Sequence, residues 1–222
     1  MLTASAFQEL KTRLQGRPAT VGIDLQGLVP TAVVPVDDLL GGGLPAGALV
    51  TLEGLGSCGR WSIAAALLAG VTQTGLGAVI DDGGLYPPSL EAAGIRLDRL
   101  LIVPATDAVE IARAVDALLR SRVVRAIVMG AVVLRAAVWN RLATLAHRAG
   151  VLLIVIAERA AAELGAVAGV RLWCSFDRPV VAGTRGLWCT LGGFDARAEL
   201  RKHKRAGTGA FAAVRSMLPS GG

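Results

Sequence analysis

One stretch constrains this chain more than any other. Residues 39–68 read LLGGGLPAGALVTLEGLGSCGRWSIAAALL: a glycine-rich turn, a short apolar run, a second glycine loop and an alanine-rich segment. The run Gly41-Gly42-Gly43-Leu44-Pro45-Ala46-Gly47 has turn chemistry throughout, since glycine admits positive φ and proline presets its own. Residues 48–52 are mostly apolar and bounded by turn signals, the pattern of a strand buried on both faces of a parallel sheet. Residues 61–73 then carry apolar positions at helical spacing. A chain of 222 residues has room for one α/β domain built around this strand–loop–helix unit.

The second loop, Gly54-Leu55-Gly56-Ser57-Cys58-Gly59-Arg60-Trp61, stands where a phosphate-cradling P-loop stands. A working loop has the form G-x-x-x-x-G-K-[ST]. Its backbone N–H groups wrap the phosphates, its Lys pairs with the β/γ-phosphates, and its hydroxyl holds Mg²⁺. Both glycines are kept, but Arg60 stands for the Lys and Trp61 for the Ser/Thr. Arginine pairs with phosphate as a planar fork rather than a compact ammonium. An indole has no oxygen for a metal, and Ser62 lies one residue late, turned about 100° around the helix. Gly54, Gly56, Ser57, Gly59, Arg60 and Trp61 thus read as a degenerate nucleotide or anion loop. The cradle is kept and the metal hardware is changed.

Composition sets outer bounds. Hydrophobic residues make up 53% of the chain, yet Arg125, Arg135 and Arg148 interrupt the longest apolar stretches before they reach the roughly 18 residues of a membrane span. Residues 1–16 carry a charged, amphipathic pattern rather than that of a signal peptide. The net charge of +6 permits contact with nucleic acid or an acidic partner and demands neither. Cys58, Cys174 and Cys189 form no disulfide framework or metal motif, and His147 and His203 are far apart in sequence. The expected setting is a reducing cytoplasm, with no metal site and no cofactor.

Along the chain, residues 3–14 read as an amphipathic helix with Phe7, Leu10 and Leu14 on one stripe, and residues 16–35 as a linker with one edge strand at most. Further strands are expected at 77–81, 100–103, 126–129 and 151–157, with helices at 107–122, capped by Thr106, and at 136–148. Residues 170–176 and 187–191 alternate as strands around a turn at 179–183. Pairing them would bring the triplets Leu172-Trp173-Cys174 and Leu187-Trp188-Cys189 together. Those triplets read either as packed aromatic–thiol pairs or as a base-stacking platform, which wants a flanking basic groove. Residues 196–204 add a last strand carrying the one dense basic cluster, Arg197, Arg201, Lys202, Lys204 and Arg205. From 206 onward, small residues read as a flexible tail in which Phe211, Val214 and Leu218 could fold on a partner.

The order LLGGGLP-x-G-x-L-x-x-L-x-G-x-x-x-x-G, with a helix behind it, resembles the opening of the ATPase core of RecA-like proteins. Within that superfamily the short chain resembles the ImuA family, RecA-like accessory proteins of bacterial SOS mutagenesis cassettes. The resemblance implies an α/β fold: a RecA-like core at 30–205 with a mostly parallel sheet flanked by helices and an antiparallel C-terminal hairpin. An N-terminal helix and linker (1–29) and a flexible tail (206–222) would complete the chain. It implies that the strand ending at Asp81 should lead to a catalytic Glu, at the position of Gly83, and that the strand ending at 129 should lead to a metal-positioning Asp, at Gly130. Glycine does no general-base work, and Asp82 points to the other face of a strand. The long glycine-rich DNA loop of recombinases has no room between Glu158-Arg159 and Val170.

Loss of the Mg²⁺ hydroxyl, the metal-positioning carboxylate and the general base removes most of what phosphoryl transfer uses. The expectation is a protein that is not an enzyme. By resemblance its partners are a Y-family polymerase homologue (ImuB-like), an error-prone replicative polymerase and RecA itself, with weak or no direct DNA binding, no membrane, and self-association left open. The Phe7, Leu10, Leu14 stripe either packs on its own domain or, by the same resemblance, docks on a neighbouring subunit. A nucleotide-binding sensor or weak ATPase, and a SulA-like cell-division inhibitor, are the alternatives.

Overall fold

The computed structural model describes residues 27–182, 190–203 and 208–217. The sequence readings at Phe7, Leu10, Leu14, Leu187, Trp188, Cys189, Lys204, Arg205 and Leu218 lie outside the described residues.

A small antiparallel pair, β1 (Leu28–Val29) and β2 (Leu44–Pro45), brackets helix α1 (Val34–Leu40). Pro35 presets the first turn of α1 and Gly41, at φ 73°, ends it in the left-handed conformation. Sequence reading placed a linker up to residue 35 and missed this helix, since seven residues show too little periodicity. The glycine turn then feeds β3 (Leu49–Glu53), and α2 (Arg60–Thr74) follows the second loop.

The remaining elements alternate. In order they are β4 (Leu76–Asp81), α3 (Pro87–Ala92), β5 (Leu100–Pro104), α4 (Ala108–Ser121), β6 (Val124–Gly130), α5 (Ala136–Ala149), β7 (Leu152–Ala157) and α6 (Ala162–Val167). Three long strands close the chain: β8 (Val170–Ala182), β9 (Thr190–His203) and β10 (Phe211–Met217). Together they make an eight-stranded sheet of order β10-β9-β8-β3-β7-β6-β4-β5. Every pairing from β8 to β5 is parallel, and β9 and β10 add antiparallel strands at one side. This is the mostly parallel, helix-flanked sheet with an antiparallel extension that the sequence predicts.

Period-two alternation splits the core into two layers. Val50, Leu52, Leu152, Ile154 and Ile156 pack under α1, α2 and α3 with Ile63, Leu67 and Leu68. Leu49, Leu153, Val155 and Ile127 pack under α4, α5 and α6 with Val115, Trp139 and Leu142. Burying side chains of this size contributes about 1.5–3 kcal/mol each. β3 and β7 therefore lie at the centre, covered on both faces, and the glycine loop emerges from the middle of the sheet.

Four expectations need correction. Thr106 is not the cap of α4: Asp107 accepts from the backbone N–H of Val109 (2.8 Å) and Glu110 (2.9 Å). The pairing expected for Leu172-Trp173-Cys174 is taken by a later part of the chain, because β8 continues to Ala182 opposite Thr190, putting Trp173 opposite Glu199 and Cys174 opposite Ala198. Pro179, read as a turn, lies within β8 between register shifts that accommodate its missing N–H. The segment read as a flexible tail contains β10, paired with β9 from Phe211↔Glu199 to Met217↔Gly193. Its alternation is in small residues, with Ala212 buried and Ala213 exposed, and is faint in a hydropathy pattern.

Candidate functional site

The loop at 54–59 gets its shape from two glycines. Gly54 sits at φ 151°, and a Cβ there would overlap the Cys174 carbonyl oxygen and the Cys58 thiol. Gly59, at φ 88°, is the N-cap of α2, a left-handed position that L-residues with side chains avoid. The Gly54 N–H donates to the Glu158 carbonyl (3.1 Å), pinning the loop to the end of β7. The Ile63 N–H donates to the Gly59 carbonyl (3.1 Å) and starts the helix. The loop backbone thus bends back over the start of α2, with Leu55, Gly56 and Ser57 exposed at its crest.

Arg60 Nη2 donates to the Gly56 carbonyl (2.9 Å), folding the guanidinium onto its own loop. Trp61 stands 46% exposed at the hydroxyl position, and Ser62 is exposed beside it. Cys58, within the loop, and Cys174, beside Gly54 on β8, are both buried free thiols. Burial pushes the Cys174 thiol up to about 12, and the neighbouring Cys58 adds to that, so it stays protonated and unreactive at neutral pH.

The carboxyl ends of β3, β7, β6 and β4 lie side by side, so the loop shares one rim of the sheet with Gly130 and Asp81. Asp81 Oδ1 accepts from the backbone N–H of Gly83 (2.9 Å) and Leu85 (3.1 Å), which folds the segment after β4 into a tight turn. Gly83 and Gly130, the positions of the expected carboxylates, are both on this rim, and Asp82 is exposed beside Gly83. A cavity of about 820 Å³ opens between α2 and α3, lined by Trp61, Ser62, Asp81, Asp82, Tyr86 and Gly130 among others. It is an aromatic and apolar recess whose charged groups are carboxylates.

Sequence reading passed over Glu53, which is the most constrained charge in this region. Fully buried at the end of β3, it accepts from Arg171 Nε (2.7 Å) and Nη2 (2.8 Å), from the Thr51 hydroxyl (2.7 Å) and from the Ala160 N–H (3.1 Å). Burial would raise its pKa, but the hydrogen bonds from Arg171, Thr51 and Ala160 outweigh that and hold it below the ordinary value. The same pairing raises that of Arg171. This cluster ties β3, β8 and the segment after β7 together directly behind the loop. The available signal was a single carboxylate closing an otherwise apolar strand.

The basic cluster is not one patch. Lys202 Nζ donates to the carbonyls of Gly165 (3.0 Å) and Ala166 (2.8 Å) at the end of α6. The Arg201 guanidinium lies 4.1 Å from the centre of the Trp173 ring and pairs with Glu199 at 3.6 Å. Arg197 lies 4.6 Å from the centre of the Phe211 ring. Both arginines alternate with Ala196, Ala198 and Leu200, whose buried side chains face α1, and so lie on the opposite face of β9. Among the described residues, no group of three or more His, Cys, Asp or Glu side chains could hold a metal ion. No helix among them is long and apolar enough to cross a membrane.

The crystal structure of the RadB recombinase superposes with a TM-score of 0.65, covering 85% of this chain and 96% of that one at 20% identity. The fold is RecA-like. Curated RecA proteins are also related in sequence, at 33% identity over 106 residues in Synechocystis sp. (strain ATCC 27184 / PCC 6803 / Kazusa) and 31% over 106 residues in Gloeobacter violaceus (strain ATCC 29082 / PCC 7421). These matches take in 47% of this chain and span only 30% and 29% of the relatives' length. No family model matches the chain.

Proposed function

We propose that this chain is a non-catalytic RecA-like accessory protein of SOS-induced translesion DNA synthesis, acting by contact with other proteins rather than by ATP turnover. The observation that carries the reading is at the start of α2. A loop with P-loop geometry has its one cation, Arg60, bonded to the loop's own Gly56 carbonyl and an exposed indole, Trp61, where a metal-binding hydroxyl belongs. The glycines at 83 and 130 support it, since neither supplies a base or a metal-positioning carboxylate. The partners proposed are a Y-family polymerase homologue, an error-prone replicative polymerase and RecA, whose filaments this chain would cap or destabilise through its RecA-like surface.

A nucleotide-binding sensor is the second reading, favoured by the positive-φ glycines Gly54, Gly56 and Gly59 at the head of a long helix. Calorimetric titration with ATP, with and without Mg²⁺, separates the two. The accessory reading expects no Mg²⁺-dependent binding and no phosphate release. Metal-dependent turnover that Arg60→Ala abolishes would overturn it.

A further inference from the structure

Strand β10 is the outermost strand of the sheet, and among the described residues it pairs only with β9. Its register runs unbroken from Phe211↔Glu199 to Met217↔Gly193. Natural edge strands are usually protected by proline, bulges, short length or several charges. The stretch Phe211-Ala212-Ala213-Val214-Arg215-Ser216-Met217 has no proline, no break in pairing and one charge. Such an edge is a template for an added strand.

The two faces beside this edge differ in chemistry. On the side away from α1, Arg197 reaches from β9 across to the Phe211 ring, 4.6 Å from its centre. Its guanidinium has therefore moved over β10, about 4.8 Å short of where an added strand would lie. Stacking on Phe211 orients the planar group while leaving its N–H edge for a carboxylate. Phe211 itself is 60% exposed. On the α1 side, a cavity of about 580 Å³ opens between α1 and the last strands, lined by Val33, Val34, Pro35, Ile63, Phe194 and Val214 among others. Val34 at its mouth is 69% exposed.

We infer that β10 is a docking edge for an extended partner segment in which acidic and apolar residues alternate. Its backbone pairs with β10, its carboxylates meet Arg197, and its apolar side chains enter the cavity beside α1. This names the partner chemistry for the reading that the chain acts through protein contacts, and it rests on that reading. The cavity is also lined by Cys58 and Gly59 of the glycine loop and by Ser62, so the peptide titrations are run without nucleotide: strand pairing tests this inference, and ATP binding or turnover tests the accessory reading. Single-stranded nucleic acid is less well suited to this face, because the Trp173 and Phe211 rings are already covered by Arg201 and Arg197.

The probe is a fluorescein-labelled peptide of about nine residues alternating Glu and Val, titrated with the full chain and read by anisotropy. A Lys–Val peptide and an oligo(dT) of about 20 nucleotides are run beside it. Two further Glu–Val peptides are N-methylated on one or the other alternate set of residues. The Glu–Val peptide is expected to bind, the Lys–Val peptide about tenfold more weakly or not at all. One N-methylated peptide is expected to lose binding while the other keeps it, since only one set of N–H groups faces β10. Arg197→Glu should weaken the Glu–Val peptide about tenfold and improve the Lys–Val peptide. Equal binding of the acidic and basic peptides, equal effects of the two methylation patterns, or no Glu–Val binding up to about 1 mM overturns the inference. So does displacement by oligo(dT) with tighter binding, which would make the face a nucleic-acid surface.

Discussion

Replacing Arg171 by methionine tests the buried cluster behind the loop. The substitution keeps most of the side-chain length but removes the bonds to Glu53 Oε1 (2.7 Å) and Oε2 (2.8 Å). It leaves a fully buried carboxylate with only the Thr51 hydroxyl and the Ala160 N–H. Removing one partner of a buried pair costs about 3–5 kcal/mol, and the 27% exposure of the Arg171 side chain places the cost near about 3 kcal/mol. That is a large part of a stability of about 5–15 kcal/mol. The pH dependence has a definite sign. In the parent chain the folded-state pKa of Glu53 is lowered, so its contribution is present above the ordinary value and is lost as pH falls through the folded value. In Arg171→Met the largest cause, burial, acts with fewer opposing bonds. The folded pKa then moves up, and the ionised carboxylate destabilises the fold as pH rises. Urea unfolding followed by circular dichroism should show the deficit growing as pH rises above the lowered folded value of Glu53 in the parent chain. The double variant Glu53→Met/Arg171→Met should be more stable than Arg171→Met alone. A deficit below about 1 kcal/mol that does not change with pH would refute the reasoning.

Three further outcomes are expected. Gly54→Ala should destabilise by more than about 3 kcal/mol or prevent folding, read by the urea midpoint, because its Cβ has no space between Cys174 and Cys58 and φ is positive. Asp107→Ala should cost about 1 kcal/mol by removing the cap of α4, and Asp107→Asn much less. Cys58 and Cys174 should resist an aromatic disulfide reagent at about pH 8 in the native chain and react once unfolded, since both are buried and the Cys174 thiol is pushed up to about 12.

The central part of this fold was legible because its local signals agree. The apolar runs that became β3, β4, β6 and β7 each have glycine at one end at least, and the helices between them bury apolar residues against the sheet. The glycine loop was legible for the same reason: Gly54 and Gly59 are required by backbone geometry that shows directly in the residue type. The C-terminal third was read less well. The register of β8 on β9 depends on bulges at Pro179 and its neighbours, and β10 is written in alanines, so neither turn chemistry nor hydropathy located them. Glu53 and the Arg–aromatic stacks were invisible for another reason. Arg171 and Trp173 meet residues on distant strands, and only the sheet order brings Glu53 beside Trp173 and Trp173 beside Glu199.

RecA-driven strand exchange, run with and without this protein at stoichiometric excess, tests the proposed accessory role most directly. If the chain occupies a RecA-like interface without turning over ATP, exchange should slow in proportion to the protein added, and RecA should be recovered with it on pull-down. Unchanged strand exchange, with no RecA recovered, would contradict the account.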